Sequence, residues 1–232
     1  MVARSKYVIF KQKVFSAIVT NATAEPKTAK EAIKNSQWLH AMQSEFSALQ
    51  KNDTWSLVPP TADHILVGNK WLFKVKKNTN GSVNRFKAKL VARGYTQIPR
   101  IDFYSTYSPV IKSSTIRVVL SIAASFNWGV RQLDINNAFL HGELTETVYM
   151  PQPEGFVDVD RASYVCKLNK AIYGLRQSPR TWFDRLKAIL IQWNFQNSKA
   201  DTSLFVYQGQ SLVYVLIYVD DILITGNSNT LI

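Results

Sequence analysis

Residues 212–225 restrict the fold of this chain more than any other segment. They read Leu-Val-Tyr-Val-Leu-Ile-Tyr-Val, then Asp220 and Asp221, then Ile-Leu-Ile-Thr. Two apolar runs separated by two polar residues predict two strands joined by a tight turn. Burying an unpaired carboxylate costs on the order of several kcal/mol, and a divalent cation with oxygen ligands would offset that cost. The tip is therefore either a metal site or an ordinary polar turn.

A third carboxylate, Asp134, lies near the end of a short strand predicted for residues 130–135. If that strand neighbours the 212–225 hairpin, the three aspartates meet at one end of a sheet. Nucleotidyl transfer uses two cations about 4 Å apart, which carboxylates hold. Phe139, five residues after Asp134, has two interpretations: a core residue, or a ring beneath the sugar of an incoming nucleotide.

A cationic strand lies in the first half of the chain. Residues 70–77 and 82–93 predict a hairpin around Asn80-Gly81. In its second strand Arg85, Lys87, Lys89 and Arg93 share one parity, and apolar residues share the other. The face is either solvated or bound to phosphate. The net charge of +12, with its excess before residue 131, favours nucleic acid over a merely basic, soluble protein.

Composition narrows the class of protein further. With 232 residues and 46% hydrophobic content the chain is globular. Cys166 is the single cysteine, which favours an intracellular setting, and it is expected to be buried. No run reaches transmembrane length. The three histidines are far apart in the sequence, which argues against a zinc site. No glycine-rich phosphate loop occurs.

The order of predicted elements indicates an α+β fold with an antiparallel sheet. Residues 1–27 form a lead-in segment, and residues 28–232 form the folded domain. The capping box from Thr28 to Glu31 opens one helix that continues through Leu49. Another helix begins near residue 114. A third begins at Ser178-Pro179 and turns Trp182 and Trp193 inward.

A set of ordered blocks resembles the reverse transcriptase of copia-type (pseudoviral) long-terminal-repeat retrotransposons. The blocks are residues 31–49, Asn52-Asp-Thr-Trp-Ser-Leu-Val-Pro59, Lys70-Trp-Leu-Phe-Lys74, residues 87–94, Ser108-Pro-Val110, residues 132–142, Tyr173-Gly-Leu-Arg-Gln-Ser-Pro-Arg180 and residues 218–226. Tyr218-Val-Asp-Asp221 is the block that resembles the catalytic signature. The resemblance covers about residues 25–228.

The resemblance implies a palm-and-fingers architecture and two-metal chemistry. The hairpin of residues 70–94 would belong to the fingers, and the aspartate-bearing sheet to the palm. Asp134, Asp220 and Asp221 carry over as catalytic metal ligands for two Mg²⁺ ions, with Mn²⁺ as a possible substitute. The expected reaction is attack of a primer 3′-hydroxyl on a deoxynucleoside triphosphate paired to an RNA or DNA template.

Other residues carry over as binding residues. The residues expected at the nucleotide are Phe139, Tyr173, Gly174, Lys87 and Lys89. Those expected at the template or primer are Arg85, Arg93, Ser178, Pro179 and Tyr218.

The resemblance also sets expectations about context. Such a protein acts in a cytoplasmic particle or the nucleus, without a membrane and without secretion. The rest of its polyprotein, with integrase and ribonuclease H, is absent from this chain, which is expected to end before the thumb. An inactive retrotransposon relic with residual nucleic-acid binding is therefore the alternative. Arg100 departs from the family, which usually has glycine there, and this costs about 1 kcal/mol if φ is positive.

Overall fold

A computed structural model describes residues 24–228 and residue 230. Residues 1–23 of the predicted lead-in segment therefore lie outside the described residues. The helices are α1 (Ala29–Ile33), α2 (Ser36–Lys51), α3 (Ser113–Ser125) and α4 (Ser178–Gln192). The strands are β1 (Trp55–Val58), β2 (Asn69–Lys77), β3 (Val83–Ala92), β4 (Val130–Asp134), β5 (Tyr149–Pro151), β6 (Val165–Leu168), β7 (Gln196–Asn197), β8 (Leu204–Gln208), β9 (Leu212–Tyr218) and β10 (Asp221–Gly226).

The strands of the described residues form three antiparallel sheets. A five-stranded sheet has the order β4-β10-β9-β8-β7, a three-stranded sheet the order β1-β6-β5, and β2 pairs with β3. The mixed helix-and-strand composition with antiparallel sheets agrees with the fold class expected from the sequence.

Helices cover both faces of the five-stranded sheet, which explains why β9 is apolar throughout. Phe183 and Leu190 of α4 pack with Val213, Val215 and Ile217 on one face. On the other face the buried Val119 of α3 packs with Leu216, and Tyr214 and Leu223 border that cluster. Because successive side chains of a strand point to opposite faces, both parities of β9 must be apolar to fill these two interfaces.

The β2–β3 hairpin and α2 form a second packed unit. Trp38 of α2 meets Phe73 and Phe86 edge-on, with ring centroids 5.4 and 4.7 Å apart. Ala88, Leu90 and Ala92 of β3 are buried in the same cluster. The apolar parity predicted for this strand is therefore its buried face, and it packs on α2.

Two expectations about helices are wrong in detail. The single helix predicted from Thr28 is two helices, because Asn35 starts α2 by accepting hydrogen bonds from Gln37 N (2.9 Å) and Trp38 N (3.3 Å). Trp193 does not turn inward: it follows the last residue of α4 and is 63% exposed. Phe183 and Leu190 occupy the buried face instead.

Arg100 and Cys166 each have an unusual environment. Arg100 adopts a φ of 66°, the left-handed region that favours glycine. Cys166 is buried, and this burial raises the pKa of its thiol to about 12. Among the helices that the structure describes, none combines the length and the apolarity needed to cross a bilayer.

Candidate active site

The turn between β9 and β10 places the three aspartates at one end of the five-stranded sheet. In the pairing of β10 with β4, Asp221 lies directly opposite Asp134. The backbone N–H of Ile135 donates to the carbonyl of Asp220 at 2.9 Å, which extends the pairing by one residue. Directly opposed residues of an antiparallel pair have Cα atoms about 4.5–5.5 Å apart. Three carboxylates therefore occur at one end of two neighbouring strands.

The turn that carries Asp220 has a strained residue. Val219 has a φ of 56°, a conformation in which a β-branched side chain is a rare outlier. Its carbonyl accepts a hydrogen bond of 2.7 Å from the indole N–H of Trp182, which is 5% exposed and projects from α4. Strained backbone of this kind costs on the order of 1–3 kcal/mol and persists only where the surroundings hold it. A core tryptophan thus fixes the turn.

The carboxylates lie at the wall of a cavity rather than in a dry core. Asp134 is exposed, and Asp220 and Asp221 are half-buried. Gln132 donates to Asp221 Oδ1 at 3.1 Å, and the Tyr173 hydroxyl donates to Asp220 Oδ2 at 3.5 Å. The flanking strands are buried, but the turn is not. The burial cost inferred from the apolar flanks therefore does not apply.

Hard carboxylate oxygens are the ligands that Mg²⁺ prefers, so the donor set at the strand ends has the right chemistry. The strand ends lie next to each other, but the three carboxylate side chains are not clustered around one point. Within residues 24–228, no three carboxylate, imidazole or thiol groups are gathered closely enough to hold a metal ion.

A cavity of about 880 Å³ opens in front of the aspartates. One wall is α2, another is the β2–β3 hairpin, and the third is formed by the strand ends and Tyr173. The charged residues that line it are Glu45, Lys76, Arg85, Lys87, Lys89, Asp134, Asp220 and Asp221. The cationic hairpin face and the carboxylates therefore line the same cavity.

Like charges oppose one another across the hairpin. Lys74 pairs in register with Lys87, and Lys76 with Arg85. Directly opposed like charges destabilise a strand pair. Burial lowers the pKa of Lys87, and the positive charges of Lys89 and Arg85 lower it further. A polyanion in the cavity would relieve this repulsion.

Lys89 differs from its cationic neighbours because it already has partners. Its ammonium lies 3.4 Å from the Glu45 carboxylate and 4.7 Å above the centroid of the Tyr173 ring. It also donates to Oδ1 of Asn137. Neither Arg85 nor Lys87 forms an ion pair within the described residues.

Phe139 lies behind the cavity wall. It belongs to a 3₁₀ helix (Ala138–His141), is 6% exposed, and packs on Tyr173 with ring centroids 4.4 Å apart. Tyr173 lines the cavity, whereas Phe139 does not. In this structure the ring packs in the core, the first of the two interpretations open from the sequence.

Gly174 serves the contact between the turn and β3. Its φ is 93°, and a Cβ there would lie 2.1 Å from the carbonyl oxygen of Ala92. The backbone N–H of Ala92 donates to the Tyr173 carbonyl at 2.8 Å. The glycine is therefore required for the close approach of two backbones, whatever else it contacts.

The residues expected at the template fall into two groups. Ser178 is fully buried, and its hydroxyl donates to the Ile172 carbonyl at 2.5 Å, so it does not present a surface to a ligand. Arg93 and Tyr218 are exposed, and Pro179 is half-buried at the start of α4. None of these four residues lines the cavity, unlike Arg85.

The sequence reasoning missed three contributors to this site: Glu45, Asn137 and Trp182. The sequence does mark Glu45, because it is the single acidic residue of α2. Asn137 has a φ of 55°, and asparagine is enriched in that region, but the sequence does not show that its amide meets a lysine. The bond from Trp182 to the turn joins residues distant in the chain, and no local pattern predicts it.

Comparison with known proteins identifies the family. A family model described as reverse transcriptase (RNA-dependent DNA polymerase) matches residues 52–232. The chain is 53% identical over its whole length to the retrovirus-related Pol polyprotein from transposon RE1 of Arabidopsis thaliana. It is 40% identical, over 90% of its length, to the corresponding polyprotein from transposon TNT 1-94 of Nicotiana tabacum.

The chain spans 16% of the length of each of these two relatives. Telomerase from Candida albicans, solved in complex with a telomeric RNA fragment, is a more distant structural match. The identity is 10% and the TM-score 0.37, over 90% of this chain and 46% of that one. The family match and the plant relatives agree with the resemblance read from the sequence, and the chain belongs to the reverse transcriptases of copia-type retrotransposons.

Proposed function

We propose that this chain is the polymerase unit of an RNA-directed DNA polymerase that adds deoxynucleotides to a primer 3′-hydroxyl. The observation that carries the proposal is the in-register pairing of Asp134 with Asp221, beside Asp220, at a cavity that the cations of the hairpin also line. In this proposal residues 28–232 form one domain. The five-stranded sheet with α3 and α4 is the palm, and the β2–β3 hairpin with α2 belongs to the fingers.

Asp134, Asp220 and Asp221 would hold two Mg²⁺ ions, for which Mn²⁺ can substitute. Two bound ions would activate the attacking hydroxyl and stabilise negative charge on the phosphates. The chain's own contribution is to hold the carboxylates at adjacent strand ends, where Gln132 and Tyr173 orient one oxygen each of Asp221 and Asp220.

The cations on the hairpin would bind the triphosphate. Lys87 and Arg85 line the cavity without an ion pair among the described residues, so they are the first candidates. Lys89 would contribute its charge at a fixed position beside the Tyr173 ring. A triphosphate placed there would lie between these cations and the aspartates.

Tyr173 would form the nucleotide-facing wall, with Phe139 behind it and Gly174 holding its turn against β3. Phe139 supports the Tyr173 ring, so we propose that it acts on the sugar through the position of that ring. Arg93, Pro179 and Tyr218 lie outside the cavity and are proposed to contact template or primer. Ser178 would act only by holding the preceding turn.

The setting follows from the same proposal. The partners would be an RNA or DNA template with its primer and a deoxynucleoside triphosphate, with integrase and ribonuclease H elsewhere in the polyprotein. A cytoplasmic particle or the nucleus would be the location, and no membrane is involved.

A primer-extension assay tests the proposal. Purified chain, a poly-purine RNA template, an annealed DNA primer and Mg²⁺ should give incorporation of the complementary deoxynucleotide. The double variant Asp220→Asn, Asp221→Asn should lose at least about a hundredfold of the rate, since it removes charge that acts on the transition state. Asp160→Asn, an exposed residue far along the chain from the strand ends, is the matched control and should retain activity.

Three outcomes are informative. Incorporation that survives in the double variant would refute the assignment of these aspartates. Wild-type chain that binds the primer–template but incorporates nothing would refute the polymerase and support the relic. Wild-type chain that neither binds nor incorporates would refute both.

A further inference from the structure

The ammonium group of Lys89 is bound on three sides. Glu45 lies 3.4 Å away, Asn137 accepts a hydrogen bond, and the face of the Tyr173 ring lies 4.7 Å below. The Lys89 side chain is 17% exposed and the Glu45 side chain 10% exposed. This is the most buried of the ion pairs in the described part of the chain.

The location of Glu45 is unusual for its charge. It lies on α2, in the wall of a cavity that faces phosphate in the proposed function, where a carboxylate repels the ligand. Burial raises the pKa of Glu45, whereas the charge of Lys89 lowers it. A carboxylate at this place must be stabilised by a nearby group. Within the described residues, the cation that pairs with Glu45 is Lys89.

The contacts of Lys89 provide that reason. Asn137 is three residues after Asp134, and Tyr173 donates to Asp220. Through Tyr173 the ammonium is thus held one contact away from Asp220, and through Asn137 it is tied to the segment that follows Asp134. Lys89 is a long and flexible side chain, and without Glu45 its charge would be free to turn toward those carboxylates.

We infer that Glu45 is a positioning residue, which fixes the Lys89 ammonium on the face of Tyr173 and away from the aspartates. The inference rests on the proposed function, because the placement serves nucleotide binding. A fixed cation loses less conformational freedom when the triphosphate binds, so affinity for the nucleotide is higher. Glu45 then affects the KM for deoxynucleotide more than kcat.

Amine labelling tests the positioning without requiring polymerase activity. Sulfo-N-hydroxysuccinimide acetate acylates free lysine amines, and mass spectrometry reads the rate at each lysine. Wild-type Lys89 should react several-fold more slowly than Lys87. Glu45→Gln, which keeps the shape and removes the charge, should raise the rate at Lys89 by at least about threefold.

Glu143→Gln is the matched control. It breaks a lysine–glutamate contact of 3.3 Å to Lys170 in which Glu143 is 74% exposed. That variant should leave the rate at Lys89 unchanged. Equal rates at Lys89 in the wild type and in Glu45→Gln would overturn the inference. If Glu45→Gln does not fold, Glu45→Asp, which retracts the carboxylate by one methylene, should give the same contrast.

Steady-state kinetics tests the consequence for the nucleotide. Glu45→Gln should raise the KM for deoxynucleotide about five- to tenfold while kcat changes by less than about twofold. Lys89→Met should raise KM at least as much, and adding Glu45→Gln to it should change KM no further, because Glu45 acts through Lys89. Purely structural damage would instead add in the double variant and lower the melting temperature in parallel.

The opposite sign is equally decisive. A lower KM in Glu45→Gln would show that Glu45 withholds Lys89 from the nucleotide, and would overturn the inference. A wild-type chain without primer extension would refute the proposed function, and the labelling rates would still decide whether Glu45 holds Lys89.

Discussion

Arg100 offers a direct measurement of backbone strain in this chain. Its φ of 66° lies in the left-handed region, where a side chain costs about 1–2 kcal/mol relative to the right-handed region. Its backbone N–H donates to the Phe103 carbonyl at 2.8 Å, a bond that glycine retains. No hydrogen bond or ion pair of its side chain occurs within residues 24–228. Replacement by glycine therefore removes strain without removing a side-chain hydrogen bond or ion pair of the described residues.

The expected gain is smaller than the full strain. Glycine also increases the freedom of the unfolded chain, which costs about 0.4–1 kcal/mol. Taking the middle of both ranges, the net stabilisation of Arg100→Gly is about 0.8 kcal/mol. In a protein of this size 1 kcal/mol corresponds to about 2–4 °C in melting temperature, so we expect a rise of about 1–4 °C.

Urea unfolding followed by circular dichroism measures the change as a shift of the midpoint at constant slope. Ala62→Gly is the matched control, because Ala62 is exposed in a turn and is not among the residues with positive φ. It should lose about 0.5–1 kcal/mol, the opposite sign. A midpoint for Arg100→Gly equal to or below that of the wild type would refute the strain argument.

Three further predictions concern other residues. Cys166, buried and with a thiol pKa raised to about 12, should not react with iodoacetamide at pH 8 in the native protein and should react fully in 6 M guanidinium, with both rates read by mass spectrometry. Burial raises the pKa of Asp201, but hydrogen bonds from Thr115, Lys112 N and Ser203 N lower it to a net value below the usual 3.8. Because the pKa is lowered in the folded state, the ionised Asp201 stabilises the fold at pH values above the unfolded pKa, and this stability is lost as pH falls below about 4. Asp201→Asn should therefore cost about 1–3 kcal/mol at pH 7 and flatten the acid limb of a stability–pH curve. An unchanged acid limb would contradict this assignment. Phe139→Ala should loosen the Tyr173 ring and raise ribonucleotide incorporation relative to deoxynucleotide by about tenfold in primer extension, and an unchanged ratio would remove Phe139 from sugar selection.

The sequence predicted best the parts of the fold set by local periodicity. The parity of β3 and the apolar runs of β9 and β10 follow from which faces are buried, and the residues alone show this. The sequence also predicted that Asp134 would lie near Asp220 and Asp221 if their strands were neighbours. In the structure these strands are neighbours. Strand neighbourhood is a long-range property, so the sequence left it open.

The errors have the same physical origin. The break at Asn35 depends on a side chain capping α2 in preference to a continuous helix, two outcomes of similar local energy. The apolar flanks of Asp220 and Asp221 suggested a buried pair, because a sequence shows the hydrophobicity of neighbours and not the cavity in front of them. Glu45 and Lys89 are on different elements, and their contact becomes visible only when α2 packs on β3.

The bond from Trp182 to the Val219 carbonyl has a consequence for protein engineering. The aspartate turn is only a few residues long in the sequence, from Val219 to Asp221. Here its unfavourable backbone angle is maintained by a side chain from a helix 37 positions earlier in the chain. A hairpin of residues 212–226 grafted onto another sheet, or made as a peptide, would relax to an ordinary turn and lose the direction of Asp220. The smallest transferable unit of this site therefore includes α4.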